Sequence, residues 1–206
     1  MKKKALAFAA FAAALMPAMP AFAHHVMDGK LPVTFPQGLL SGLGHPIIGL
    51  DHFAAVLAVG GVAALHRKGA ALAIGFVVAM MIGVAVHVRG ASVPGAEILV
   101  ALTVIVLGVA LVRRRQMPSG AVLALFSLAG LIHGYALGES IFGAEPAPLA
   151  AYLIGLAAIQ GAIALGAMSL ARTFAGRLEP VTLRLAGAGI AGVGIAILVQ
   201  QLAAAA

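Results

Sequence analysis

The chain is organised as apolar blocks of membrane-crossing length, separated by short polar or glycine- and proline-rich connections. Six such blocks lie at roughly residues 37–65, 70–88, 96–112, 119–139, 148–170 and 182–203. A helix that crosses a bilayer needs about 20 apolar residues, and the connections carry the residues that end helices. The pattern predicts an all-α integral membrane protein of six transmembrane helices. A shorter apolar run precedes them. "MKKK" supplies a basic start, "ALAFAAFAAALM" an apolar centre followed by Pro17 and Pro20, and "AFA" at residues 21–23 a small-x-small cleavage site. These features predict a cleaved signal peptide over residues 1–23 and one membrane domain over residues 24–206. The rival reading is an uncleaved first helix.

Composition sharpens the picture. Of 206 residues, 63% are hydrophobic and 9% charged, with a mean hydropathy of +1.11. A soluble domain carries about 25% charged residues, so this chain could not cover its own surface in water. The net charge of +7 does not point to nucleic acid, because three lysines lie in the cleaved segment and the other basic residues cluster in particular loops. With cleavage the mature N-terminus lies outside, and alternate connections fall outside and inside. The predicted inside connections hold Arg67 and Lys68, Arg113 to Arg115, and Arg172 and Arg177, with Arg184 just after; the outside ones hold Lys30 and Arg89. This is the positive-inside pattern, and it places both termini outside, on the periplasmic face of a bacterial cytoplasmic (inner) membrane.

Cysteine is absent, which excludes disulfides and thiolate metal sites and leaves nitrogen and oxygen donors for any ion. The polar residues inside the apolar blocks carry the remaining information. The first block contains "HPIIGLDHFAAVLAVG", with His45, Asp51 and His52; the fourth contains "HGYALGE", with His133 and Glu139. An aspartate at a helix centre costs about 2.5–3.5 kcal/mol on insertion scales, and intramembrane ionisable groups are functional candidates by default. On a regular helix His45 and His52 lie within ~20° of one face but ~10 Å apart, with Asp51 pointing ~100° away from His52. A regular helix therefore does not bring all three to one ion. Pro46 and Gly49 make regularity doubtful there, and a kink between His45 and Asp51 closes the gap.

Both blocks read His-x5-acid, each in the first helix of a three-helix half. Three is odd, so two such halves run in opposite senses, the arrangement of inverted repeats with a site near the membrane midplane. Depth agrees: counted at 1.5 Å per residue, His45 and His133 lie ~12 Å and ~15 Å below the outer boundary. Imidazoles with carboxylates suit a first-row divalent ion such as nickel, cobalt, copper or zinc. A lone membrane histidine is more often an interhelical hydrogen-bond partner; three histidines with two carboxylates favour an ion site. Histidines on facing helices also hold haem, which leaves Asp51 and Glu139 unexplained.

Lesser candidates follow. His24 and His25 at the mature N-terminus can capture metal outside the membrane, or belong to a disordered polar start. His66 and His87 read as interfacial. Gln160 reads as a bridge between helices or a support behind the ligands. Ser41 and Ser127 sit in no nucleophile motif, and no nucleotide-binding motif is present, so neither hydrolysis nor ATP coupling is indicated.

At "HPIIGLDHFAAVLAVG", "HGYALGE" and the secretory start followed by "HH", the sequence resembles the HupE/UreJ family of nickel/cobalt permeases. The resemblance covers essentially the whole mature chain in the number and order of segments. It implies a non-enzymatic permease taking up nickel, or sometimes cobalt, with no permanently bound cofactor. Carried over by position, the implied ligands are His45, Asp51, His52, His133 and Glu139. The broader nickel/cobalt transporter group carries His-x4-Asp-His; here the spacer is five residues, so that group's geometry does not transfer. The competing class is a membrane accessory protein that binds metal or haem without moving it. The partners expected are a divalent metal ion and the lipid bilayer; the sequence offers no docking signal for further subunits or a second copy.

Overall fold

The computed structural model describes residues 30–113, 117–174 and 180–205; the signal segment, His24 and His25 lie outside them, as do Arg114, Arg115 and Arg177. Among the described residues seven α-helices run α1 Phe35–Ile48, α2 Leu50–Ala64, α3 Gly69–Val88, α4 Ala96–Arg113, α5 Ser119–Gly138, α6 Pro146–Phe174 and α7 Pro180–Ala204, with a 3-10 turn at Glu139–Ile141 after α5. The protein is an all-α membrane protein: α3 to α7 are each long and apolar enough to cross a bilayer. The bent pair α1 and α2 adds a sixth span if counted as one.

The first predicted helix is thus broken, and the break is where the sequence placed it. Thr34 starts α1 with a capping box, its hydroxyl accepting from the Gln37 backbone N–H while the Gln37 side chain accepts from the Thr34 N–H. Such caps hold a helix start by about 1 kcal/mol. Pro46 then removes the N–H that the Gly42 carbonyl would have accepted. Three residues later Gly49 turns extended (φ −71°, ψ 103°), ending α1 and opening α2 at an angle of 78°. Glycine is needed for space there: a Cβ at position 49 would lie 2.9 Å from the His52 ring and 3.1 Å from Asp51 Oδ1. Having no side chain, Gly49 cannot cap α2, and Asp51 takes that role by accepting the His52 N–H at 2.8 Å. The positive end of the helix dipole favours a carboxylate at this position.

The bundle is assembled from three glycine-mediated helix pairs, each joining the first half of the chain to the second. In α1 and α6, Gly38 packs on the Pro148 carbonyl, Gly42 on Tyr152, and Gly155 on Leu39 and Leu43. In α5 and α3, Gly130 packs on the Phe76 carbonyl, Gly134 on Met80, and Gly83 on Leu131 and Tyr135. The second set is the first with 92 added to α1 numbers and 72 subtracted from α6 numbers. The α4–α7 pair maps onto itself with an offset of 86: Gly108 meets the Gly187 carbonyl and Ala191 nitrogen, and Gly194 meets the Ala101 carbonyl and Ile105 nitrogen. Small residues that let backbones touch are the usual device of membrane helix packing. Here they are placed by an internal pseudo-two-fold, with α1 parallel to α6, α3 parallel to α5 and α4 antiparallel to α7.

That symmetry supports the three-plus-three arrangement while moving its register. The His-x5-acid echo pairs His45 with His133, an offset of 88, whereas the packing pairs Ser41 with His133 and His45 with Leu137. The histidines are one helical turn out of equivalence. The halves also differ by an insertion. Between Gly49 and Ile74 the first half has 24 residues, including α2; between the equivalent Ile141 and Pro146 the second has four. The inserted α2 is buried on nearly all sides. It runs on along α6, with Gly60 against Ala164 and Met168.

One end of the bundle gathers Arg67 and Lys68 after α2, Arg113 at the end of α4 and Arg172 at the end of α6. There an Arg172 guanidinium nitrogen donates to the His66 carbonyl at 2.7 Å. The opposite end carries Arg89, Glu97, Glu139 and Glu145.

Candidate functional site

The break at Gly49 turns the start of α2 into the bundle and sets its first-turn side chains against α5 and α4. His52 Nδ1 lies 2.9 Å from His133 Nδ1. The other nitrogen of His133, Nε2, lies 2.9 Å from the Thr103 hydroxyl on α4, and that hydroxyl donates to the Val100 carbonyl at 2.8 Å. When Thr103 gives its one hydroxyl proton to Val100, it accepts from His133 Nε2–H. In that tautomer His133 Nδ1 carries a lone pair and accepts from His52 Nδ1–H. The far nitrogen of His52, Nε2, lies 3.9 Å from Asp51 Oδ2. The His45 ring, from the other side of the break, is 6.2 Å from that of His52. Phe76 on α3 walls the group, its ring 6.3 Å from that of His133.

All of these groups are buried: His133 is 1% exposed, Asp51 5%, His45 and His52 6%, and Thr103 8%. The structure thus brings together His45, Asp51, His52 and His133, from two helices on either side of a break and a third across the bundle. Glu139 is elsewhere. It opens the 3-10 turn beyond α5 and is exposed. Among the described residues no group of three or more His, Cys, Asp or Glu side chains converges as a ready metal site; the two imidazoles are closed on each other by a shared proton. A cation that ligates either Nδ1 must displace that hydrogen bond.

Three other polar residues have clear positions. Gln160 on α6 is 1% exposed, and its Oε1 has no hydrogen-bond partner. His66 is buried at the basic end, with its Nε2 likewise without a partner. His87 packs between the rings of Tyr135 and Phe142, at 4.5 and 5.7 Å. Thr103 is the residue that sequence reasoning missed. Its signal was present: it is the one hydroxyl in the apolar stretch "ILVALTVIVLGVALV", at a depth where a hydroxyl needs a partner.

A multi-pass helical membrane protein with a buried histidine–aspartate group at a broken helix is the class that fold and site define. The chain belongs to the HupE/UreJ family, whose model, described as HupE / UreJ protein, matches residues 12–197. It is 30% identical over 165 residues to Protein HupE of Rhizobium leguminosarum bv. viciae, an alignment covering 79% of this chain and 85% of that protein. No solved structure matches.

Proposed function

We propose that the protein is a permease for a divalent transition-metal ion, nickel or cobalt, and that it performs no covalent chemistry. The observation that carries this reading is the pair of buried imidazoles from α2 and α5, 2.9 Å apart, beside a carboxylate at a break in a membrane helix. Broken helices at the interface of inverted repeats are where transporters bind their ions. Nitrogen donors with a carboxylate match the preference of first-row divalent ions. The ion arrives from the periplasmic side, where Glu139 stands exposed and His24 and His25 offer first capture. It opens the His52–His133 hydrogen bond, takes imidazole ligands with Asp51 alongside, and leaves toward the end bearing Arg67, Lys68, Arg113 and Arg172. That end is the cytoplasmic one by the positive-inside rule, which puts both termini in the periplasm and the protein in the inner membrane.

A second reading, a membrane protein that holds metal without moving it, has one observation in its favour. Below His52 the inserted helix α2 is buried on nearly all sides, so passage requires α2 or its neighbours to move. A haem-binding reading fits less well. Axial histidines sit on opposite faces of a macrocycle with their nitrogens ~4 Å apart, twice a metal–nitrogen bond, and the nitrogens here are in hydrogen-bond contact.

Radioactive nickel uptake, competed by cobalt, copper and zinc, in cells expressing wild type or His52→Ala at matched membrane levels tests the proposal. Saturable uptake lost in the variant supports transport. Nickel bound by purified protein but not accumulated by cells supports the holding reading and refutes the permease.

A further inference from the structure

Gln160 lies within the membrane, almost fully buried, with an acceptor oxygen that nothing in the protein satisfies. Such a group has lost its water and received nothing in return, and a buried orphan of this kind calls for a reason. Its place in the bundle follows from helix register. Leu156 faces Gly42 of α1, and Ala164 faces Gly60 of α2. Gln160 is four residues from each, so it lies on the same stripe of α6 between them. One turn beyond Gly42, at the level of Gln160, the parallel helix α1 carries His45 and Pro46. Gln160 therefore stands opposite the break, between the contact α1 makes at Gly42 and the contact α2 makes at Gly60.

The ion site needs a donor of this kind. Its histidines and carboxylates do not reach a group of three among the described residues, and a first-row divalent ion takes four to six donors. An amide carbonyl oxygen is a neutral donor that neither adds charge to the membrane interior nor competes for the shared proton of His52 and His133.

We infer that Gln160 is itself a ligand, its amide oxygen adding to the imidazole ligands and Asp51 that the ion takes when the His52–His133 hydrogen bond opens. The inference rests on the permease reading and deepens it. It makes Gln160 a determinant of which ion is accepted, because a site mixing imidazole with amide and carboxylate oxygen is harder than an all-imidazole one.

The test uses the full chain, purified in detergent, with nickel binding followed by calorimetry and cobalt(II) binding by its visible absorption. Gln160→Met keeps the volume and removes the oxygen; Gln160→Glu keeps an oxygen. We expect Gln160→Met to weaken nickel at least tenfold and to change the cobalt spectrum, while its thermal unfolding without metal stays at the wild-type temperature. Gln160→Glu should bind within threefold of wild type or more tightly. Wild-type affinity and spectrum in Gln160→Met would overturn the inference and leave the permease reading standing. Equal loss in both variants, with lowered unfolding temperatures, would assign Gln160 to packing and overturn it as well. A wild-type protein that binds neither metal and supports no uptake would remove the permease reading itself.

Discussion

Replacing Thr103 by valine separates a positioned histidine from one that is merely buried. Valine has nearly the volume of threonine, so the change removes one hydroxyl from a site 8% exposed and leaves the packing of α4 on α5 in place. What is lost is the acceptor for His133 Nε2–H, at 2.9 Å in the structure. The imidazole then has two choices. It can keep its proton on Nε2, leaving a buried donor unmet at a cost of about 1–3 kcal/mol. Or it can move the proton to Nδ1, where it meets the Nδ1–H of His52 across 2.9 Å and forces that ring to change as well.

The second choice penalises the state that binds the ion, because His133 presents its Nδ1 lone pair to the site only while the proton stays on Nε2, so binding must restore the unmet donor. Under the first choice that cost is the same with and without the ion. At 1.4 kcal/mol per factor of ten, the loss corresponds to about 5- to 140-fold in metal affinity. The assay is nickel titration of the purified variant, paired with initial uptake rates across nickel concentrations at matched membrane abundance. Thr103→Val should raise the half-saturating concentration by that factor, and Thr103→Ser, which keeps the hydroxyl, should restore most of it. Wild-type affinity in Thr103→Val would refute the tautomer argument, and a loss that serine fails to rescue would show that the methyl group rather than the hydroxyl matters.

Two further outcomes follow from the backbone. Gly49→Ala places a Cβ 2.9 Å from the His52 ring and 3.1 Å from Asp51 Oδ1, so it should displace both side chains and cut nickel uptake severalfold while the protein still reaches the membrane; unaltered uptake would show that the ring can yield. Gly42→Val and Gly134→Val occupy equivalent positions, each meeting a carbonyl oxygen of the parallel helix (Tyr152 and Met80), and both should lower the thermal stability of the purified protein to a similar extent. A large loss in only one of them would break the proposed equivalence of the two halves.

The sequence announced the helices, because apolar blocks of membrane length admit no other fold, and it announced the break, because Pro46 and Gly49 bracket a segment where polar residues would otherwise diverge. It also named the four buried side chains His45, Asp51, His52 and His133. Glu139 was legible only as a carboxylate in the right block. Six residues past His133 on a continuing helix, it is carried ~9 Å along the axis, out to the exposed turn. Thr103 was hidden because a single hydroxyl on an apolar helix gains meaning only from what stands opposite.

The repeat was visible in the wrong residues. Read through the histidines it falls one turn out of register. Read through the glycines, "GLLSG" at 38–42 lies over "GLIHG" at 130–134, and "IGLA" at 154–157 over "IGVA" at 82–85. Backbone contact is what the two halves share, since each must pack small residues against the other without help from a hydrophobic effect. The polar chemistry is not shared. His133 stands where the first half has Ser41, and His52 lies on α2, which the second half lacks. The pair of imidazoles therefore joins a residue of the common scaffold to one carried by the insertion. A symmetric scaffold with an asymmetric insertion yields one buried imidazole pair where two-fold symmetry alone would have built two.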